Sequence, residues 1–178
     1  MSNYRDLLKL NVGFIIHQTV GYSRDFPFDI PRIKLSPDLE LKNLTGTARV
    51  TRTAQGLLLQ VRMRASALSE CARCLTDFTQ PLEIDFTELY AFTSDSITDS
   101  GLIVPETGKI DLTPLVREEM ILAVPISPIC KPDCKGLCPI CGENLNETPH
   151  SHDDDVVDPR LSVLKSLLQK GQDPSSDL

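Results

Sequence analysis

Alternating apolar and polar residues in the middle of the chain predict an antiparallel sheet. Apolar side chains occupy every second position of residues 44–50 and again of residues 57–65, with a turn at residues 53–56. Folding the chain about this turn places Val50 opposite Leu59, so the apolar sides of the two strands coincide. We therefore expect a hairpin with one apolar and one polar face.

Two further segments extend the predicted sheet. Residues 78–92 alternate in the same way and form a third strand, with its phenylalanines on the apolar side. Residues 26–33 also alternate, but Pro27 and Pro31 interrupt them. Because proline cannot donate a ladder hydrogen bond, this segment is predicted to lie at an edge.

Three segments are predicted to be helical. Residues 4–10 suit a short helix near the start of the chain. Residues 111–123 form a second, capped by Asp111 or Thr113, with Pro114 in the first turn. Residues 158–169 open with Asp-Pro and carry leucines at helical spacing, which predicts a third. The chain is thus an α+β protein: an antiparallel β-sheet body with a few short helices and a zinc-binding C-terminal loop region.

The predicted organisation follows these patterns. Residues 1–125 form the sheet domain with one CxxC pair and one helix, and residues 126–170 form a zinc-knuckle segment and the C-terminal helix. Residues 171–178 are expected to be a disordered tail.

Composition and charge narrow the class of protein. Hydrophobic residues make up 40% of the chain, but aromatic residues make up only 5% and there is no Trp, so the core must consist of Leu, Ile and Val. Residues 1–70 carry 10 Lys and Arg against 6 Asp and Glu, whereas residues 71–178 carry 8 against 19. Such an acidic second half disfavours a chain that coats nucleic acid along its length, and suits docking of a basic protein. Without a secretory signal or a long apolar run, we expect a soluble, cytoplasmic protein.

The cysteines are the main candidates for metal ligands in this sequence. Two pairs have CxxC spacing, in CARC and in CPICG, and the glycine after the second pair eases a tight turn. Zinc takes four such ligands in a tetrahedron, and a bound ion would order a loop that has almost no hydrophobic residues. Disulfides are disfavoured without a secretory signal, and a redox CxxC normally opens a helix. The candidate ligands are Cys71, Cys74, Cys130, Cys134, Cys138, Cys141, His150 and His152.

Eight ligands allow two tetrahedral sites, and spacing alone leaves their pairing open. Our first pairing joins the CARC cysteines to the two cysteines after the predicted helix, and the CPIC cysteines to the two histidines. The alternative is one four-cysteine ribbon made by the two CxxC pairs, with the other ligands weakly occupied or empty. The histidines have a further alternative as exposed surface residues beside an acidic run.

The order of several motifs resembles one known family. CARCL with F-x-x-P-L, IDLTPLVREEMILAVPISPIC, CKGLCPICGENLN and DPRLSVLKSLL follow one another over residues 71–168. In this order they are similar to the YceD family of large ribosomal RNA subunit accumulation proteins. The resemblance implies a non-enzymatic factor needed for large-subunit ribosomal RNA to accumulate, and it supports two separable metal sites. Many relatives have cysteines where this chain has His150 and His152, an exchange that zinc accepts.

Two classes of partner are compatible with the residues. Neither a phosphate-binding glycine loop nor HExxH nor a G-x-S-x-G elbow is present, which favours a protein that is not an enzyme. Arg49, Arg62 and Arg64 share the polar face of the sheet and suit ribosomal RNA phosphates, although Glu83 and Asp85 could pair with them instead. The alternative is a protein-docking adaptor with a large-subunit ribosomal protein as its partner and no membrane contact. A CxxC redox protein is a more distant alternative.

Overall fold

The computed structural model describes residues 7–35, 37 and 39–152 of the 178-residue chain. The helix predicted at residues 158–169 and the tail at 171–178 lie outside these residues. In chain order the elements are β1 (Lys9–Asn11), α1 (Gly13–Ile16), β2 (Ser23–Leu35), β3 (Leu39–Arg52), β4 (Gly56–Glu70), β5 (Asp77–Ala91), a 3₁₀ turn (Ser94–Ser96), β6 (Lys109–Asp111) and α2 (Thr113–Leu122).

A four-stranded antiparallel sheet in the order β2-β3-β4-β5 forms the body of the protein. The hairpin of β3 and β4 has the predicted register, with Val50 opposite Leu59 and Ala48 opposite Val61. Strand β2, which carries Pro27, lies at an edge as its prolines predicted. The structure thus confirms a mostly antiparallel sheet with few helices.

One face of the sheet is the core of the protein. In β4, Leu57, Leu59, Val61 and Met63 are buried, while the residues between them are half or fully exposed. Fully burying one such side chain stabilises a fold by about 1.5–3 kcal/mol relative to leaving it exposed. The apolar side of α2 and the small sheet of β1 and β6 supply further members of the same buried cluster.

The helix predicted at residues 4–10 is wrong for the part that the structure describes. Lys9–Asn11 form strand β1, which pairs with the distant strand β6. Leu8, Leu10 and Val12 are all buried, and this period of two is a strand pattern. Short segments of this kind take their structure from a long-range partner, and local helix propensity yields to it.

Helix α2 begins at Thr113, and its N-cap is Leu112, which makes no side-chain capping bond, so the predicted cap at Asp111 or Thr113 is wrong. Pro114 lies in the first turn, and the carboxylate of Asp111 accepts a hydrogen bond from the N–H of Thr113 at 2.9 Å. Val116 and Met120, one turn apart, are fully buried. In the described part of the chain, no helix is long and apolar enough to span a membrane.

The chain packs into two compact units, Met1–Cys134 and a second that begins at Lys135. The first contains the sheet, the helices and the first four cysteines, and the second contains the CPICG motif. Each unit has its own group of candidate ligands, and the two are described separately below.

Candidate metal centres

The first four cysteines converge in the sheet-bearing unit. The Sγ atoms of Cys71, Cys74, Cys130 and Cys134, here named the four-cysteine group, all lie within 4.8 Å of one another. Those of Cys71 and Cys134 are 3.8 Å apart, and those of Cys74 and Cys130 are 3.7 Å apart. With Zn–S bonds of about 2.3 Å, the sulfurs of an ideal tetrahedron are about 3.8 Å apart, whereas a disulfide needs about 2.05 Å. The spacing therefore fits a tetrahedral metal site.

The turn between β4 and β5 positions the first pair. Cys71 directly follows β4, and its N–H donates to the carbonyl of Thr76 at 3.0 Å. Leu75 adopts a left-handed backbone with φ 56°, and its N–H donates back to the Cys71 carbonyl at 2.9 Å. These bonds close a tight turn that directs both sulfurs to one point.

Two hydrogen bonds hold the second pair against this turn. The N–H of Ala72 donates to the carbonyl of Pro128 at 2.8 Å. The Arg73 guanidinium donates to the carbonyl of Cys134 at 3.0 Å. The residues between the CxxC cysteines thus bind the backbone on both sides of Cys130. Sequence patterns did not predict these contacts, since they depend on how distant segments meet.

The surroundings of the four-cysteine group move the pKa values of Cys71 and Cys130 in opposite directions. Burial, together with the neighbouring sulfurs, raises the pKa of Cys130 to about 12. Burial also raises the pKa of Cys71, but backbone N–H groups of Cys130, Cys74 and Arg73 outweigh it and bring that pKa to about 6. Cys71, Cys74 and Cys134 are at most 5% exposed. A divalent cation at the centre would let all four become thiolates, which is the form that binds metal.

The second unit assembles a mixed group. One ligand atom from each of Cys138, Cys141, His150 and His152, here named the cysteine–histidine group, lies within 4.8 Å of the others. The Sγ of Cys141 is 3.1 Å from Nε2 of His150, and the two imidazole rings meet edge to face at 4.9 Å between centroids. About 3.5 Å is expected between sulfur and nitrogen on a tetrahedral zinc, so a bound ion would require only a small adjustment.

The tautomer of His150 is fixed by its surroundings. Its Nδ1 is 2.8 Å from the carbonyl oxygen of Thr148, which can only accept, so Nδ1 carries the proton. This leaves the lone pair of Nε2 directed at the group, the arrangement that metal-bound histidines adopt. The Thr148 carbonyl and then the Cys138 sulfur also raise the pKa of His150. The spacing of the candidate ligands did not reveal this contact between His150 and Thr148.

The CPICG motif forms the knuckle that its glycine predicted. The N–H of Gly142 donates to the carbonyl of Cys138 at 2.9 Å, and Gly142 has φ 77°, a conformation that suits glycine. The N–H of Cys138 donates to the carbonyl of Glu143 at 2.8 Å. The backbone N–H of Cys141 is the main reason that the pKa of Cys138 falls to about 6.

The cysteine–histidine group has little apolar support. Among residues 135–152, Cys138 is the only buried hydrophobic residue, and Cys141 is exposed. All six cysteines are free thiols in the structure. The two groups match the first of the predicted pairings, and the single ribbon of the two CxxC pairs is not one of the groups that the described residues form. Metal binding itself, and zinc as the metal, stay predictions.

The three candidate RNA-binding arginines lie on the exposed face of the sheet, and each has a carboxylate partner. Arg62 pairs with Asp85 at 2.9 Å and Arg64 with Glu83 at 3.0 Å, as the alternative to RNA contact predicted. Arg49 binds Asp25 of the edge strand through two hydrogen bonds of 2.6 and 2.9 Å, a partner that sequence patterns missed. The three guanidinium side chains stay more than half exposed, so these pairs are weak and exchangeable.

These features define a class: a β-sheet protein with two groups of four candidate metal ligands, each of the composition that structural metal sites use. The sequence profile described as "Large ribosomal RNA subunit accumulation protein YceD" matches residues 59–168. This span includes every ligand of both groups. The chain belongs to the YceD family.

The chain is also similar to several individual proteins. An uncharacterized protein of Mycobacterium tuberculosis is 38% identical over 162 residues, which is 87% of this chain and 74% of the relative. The uncharacterized protein YlbN of Bacillus subtilis is 35% identical over 105 residues, 58% of this chain and 61% of the relative. The chain is also similar to a maize protein named "Large ribosomal RNA subunit accumulation protein YCED homolog 1, chloroplastic", at 41% identity over 28% of this chain and 17% of the relative. No solved structure matches the chain.

Proposed function

We propose that the protein is a non-enzymatic factor that supports large-subunit ribosomal RNA accumulation, and that structural zinc holds both of its ligand groups. The observation that carries the function is the family match over residues 59–168, since the family's description names this role. The zinc proposal is supported by sulfur–sulfur distances of 3.7 and 3.8 Å in the four-cysteine group. Tetrahedral sets of sulfur and nitrogen ligands favour zinc, with iron as the competitor.

The placement of nucleophilic residues supports a role without catalysis. All six cysteines and two of the three histidines belong to the ligand groups. A catalytic zinc keeps one open coordination position, whereas each group here offers four ligands. The open depression of about 590 Å³ beside α2 is lined by Thr113, Pro114, Arg117, Glu118, Ile121 and Leu122. That lining includes no cysteine or histidine.

The zinc ions would act through rigidity. A loop held by metal presents its surface to a partner in one conformation, so that less conformational entropy opposes binding. The partner is ribosomal RNA or a large-subunit ribosomal protein. The carboxylate partners of Arg49, Arg62 and Arg64 favour the protein, which makes a docking adaptor without direct RNA contact the second candidate.

Depletion of the protein tests the function. The ratio of large- to small-subunit ribosomal RNA should fall in the depleted strain and recover with the wild-type protein. Cys138→Ser with Cys141→Ser should fail to restore it, whereas Thr98→Ala with Ser100→Ala, two hydroxyl deletions on an exposed loop, should restore it fully. A normal ratio in the depleted strain at several temperatures would exclude the proposed role.

Elemental analysis tests the metal separately. Protein purified under reducing conditions should contain close to two zinc ions per chain and no iron. Less than half an equivalent of zinc, in protein never exposed to a chelator, would refute structural zinc and leave the family role standing.

A further inference from the structure

The two edges of the sheet differ in how they are protected. An edge strand offers unpaired backbone groups to any extended chain, and proteins block such edges with prolines and charged side chains, lysine above all. Strand β2 carries two prolines and three basic residues. Strand β5, at the opposite edge, is 15 residues long and has one proline, Pro81, and no basic residue. The charged residues of β5 are all acidic, so its edge is protected against acidic chains but not against a basic added strand.

The backbone groups of β5 that point outward can be identified. Ala91 donates its N–H to the carbonyl of Leu102 and accepts at its own carbonyl from the N–H of Val104, each at 2.9 Å, so its groups point away from β4. The register between β4 and β5 has no shift, so every second residue before Ala91 points the same way. Pro81 falls on such a position, where a missing N–H costs no ladder bond. The other outward positions after Pro81 are Glu83, Asp85, Thr87 and Leu89.

Residues 83–89, here named the outer edge of β5, have no backbone partner on their outer side among the described residues. In the part of the chain that the structure describes, no hydrogen bond engages the outward N–H or carbonyl groups of these four residues. Their spacing corresponds to about 20 Å of strand at about 3.4 Å per residue. That length accommodates an added strand of about six residues.

Charge selects the kind of strand that fits. Residues 74–108 contain no Lys, Arg or His, while all 18 Lys and Arg and 18 of the 25 Asp and Glu lie elsewhere. The whole net charge of −7 therefore resides in β5 and the loop after it. The acidic residues of this stretch are Asp77, Glu83, Asp85, Glu88, Asp95, Asp99 and Glu106.

The register makes the charge preference specific. On the polar face, Arg64 lies opposite Glu83 and Arg62 opposite Asp85. In each pair the positive side chain lies on β4 and the negative one on β5, at the edge. A positive side chain on an added strand would therefore be favoured beside each carboxylate. The two carboxylate side chains are 66% and 59% exposed and can accept further donors. On the other face, the residue of the added strand between these two positions would lie beside the buried Ile84, where an apolar side chain fits.

We propose that the outer edge of β5 accepts an extended basic segment of a protein partner as an added strand. Its Lys or Arg residues would alternate with apolar residues and lie beside Glu83 and Asp85. Backbone hydrogen bonds would supply affinity, and the alternation of side chains would supply specificity. The proposal rests on the sheet alone and does not depend on the proposed function.

A synthetic peptide tests the backbone pairing. The probe is an acetylated and amidated octapeptide of alternating Arg and Val, titrated against the full-length, metal-loaded protein by isothermal titration calorimetry. Two comparison peptides have the same charge but carry N-methyl groups on all Arg or on all Val amides. At least one of them should bind at least tenfold more weakly than the unmethylated peptide. Weaker binding after methylation of the Arg amides would indicate an antiparallel added strand, and weaker binding after methylation of the Val amides a parallel one. Equal binding of all three peptides would mean attraction by charge alone and would overturn the proposal.

Variants of the protein locate the site. Thr87→Pro removes an outward N–H in the middle of the outer edge and should weaken binding of the Arg–Val peptide at least tenfold. Thr79→Pro makes the same change at an outward position outside residues 83–89, and should bind as the wild type does. Equal peptide affinity of Thr87→Pro and wild type would overturn the proposal, as would a protein that binds single-stranded RNA but not the peptide. If Thr87→Pro does not fold, the methylated peptides decide the matter alone.

Discussion

The two ligand groups have similar chemistry but very different surroundings. Three members of the four-cysteine group are at most 5% exposed and pack with Phe78, and Cys71 and Cys74 lie in the turn between β4 and β5. The cysteine–histidine group lies on turns, its Cys141 is exposed, and Cys138 is the only buried hydrophobic residue of residues 135–152. The first site is built into a fold that has its own core, whereas residues 135–152 supply almost none to the second.

This difference separates two uses of a structural metal. Where a hydrophobic core already brings the ligands together, the metal mainly relieves the cost of crowding four thiols, three of them buried. Where turns alone hold the ligands, metal binding and local folding are one event, as in small zinc-dependent domains. We therefore expect the four-cysteine group to govern global stability and the cysteine–histidine group to govern local order.

The largest expected effect comes from removing the buried site. Cys71→Ser with Cys74→Ser should lose one zinc ion and at least about 3 kcal/mol of stability, or roughly 6–12 °C in Tm for a chain of this size. The reason is that Cys130 and Cys134 would remain crowded and partly buried without a cation. Elemental analysis and thermal unfolding followed by circular dichroism measure the two losses.

Cys138→Ser with Cys141→Ser is the matched control for this prediction. It too should lose one zinc ion, but the unfolding of the sheet should change by less than about 1 kcal/mol, because the core of the sheet lies in the first unit. Equal losses of stability in the two double variants would remove the distinction between the groups.

A second prediction concerns the rates at which the metals leave. With a chromogenic chelator in excess, zinc should be released in two phases that differ at least about tenfold in rate, which corresponds to about 1.4 kcal/mol in the barrier. The fast phase should belong to the cysteine–histidine group, since a chelator can reach Cys141 without opening a core. The variant Cys138→Ser with Cys141→Ser should therefore lose the fast phase. Loss of the slow phase in this variant would reverse the assignment.

Exchange of the histidines tests the composition of the exposed site. His150→Ala with His152→Ala should leave one zinc ion per chain and an intact sheet, because imidazole supplies half of that ligand set. His150→Cys with His152→Cys should keep both ions, since cysteine and histidine exchange readily as zinc ligands. Unchanged zinc content in the alanine variant, measured by elemental analysis, would favour the single four-cysteine ribbon.

The sheet was predictable from sequence because its signals are local and repeated. Alternation over residues 44–65 fixed which face is apolar, and the turn at residues 53–56 then fixed the pairing of Val50 with Leu59. The prolines of β2 identified an edge for a similar reason, since the missing N–H limits where a proline can lie. The same alternation was present at Leu8, Leu10 and Val12, but over so short a stretch that a helix was predicted instead.

The parts that the sequence did not reveal depend on contacts between distant segments. Three such contacts leave no recognisable spacing in the sequence. They are the bond of His150 to the Thr148 carbonyl, the bond from Arg73 to the Cys134 carbonyl, and the pairing of Arg49 with a residue of β2. Candidate ligands were recognisable because zinc restricts residue types strongly, whereas their supporting contacts use ordinary backbone groups.

The smallest expected effect lies on the polar face of the sheet, which carries no member of either ligand group. Arg62→Ala with Arg64→Ala should change stability by no more than about 1 kcal/mol, because both ion pairs are exposed and solvent-screened. If these arginines contact RNA phosphates, the slope of log affinity against log salt should fall by about 1.4 for two contacts on a single strand. Glu83→Gln with Asp85→Asn is the informative counterpart, since it frees both guanidinium groups. It should strengthen binding of single-stranded RNA if the face is a phosphate site, and leave RNA binding negligible at low salt if the protein is an adaptor. Anisotropy titrations of the three proteins over a range of salt concentrations distinguish these outcomes.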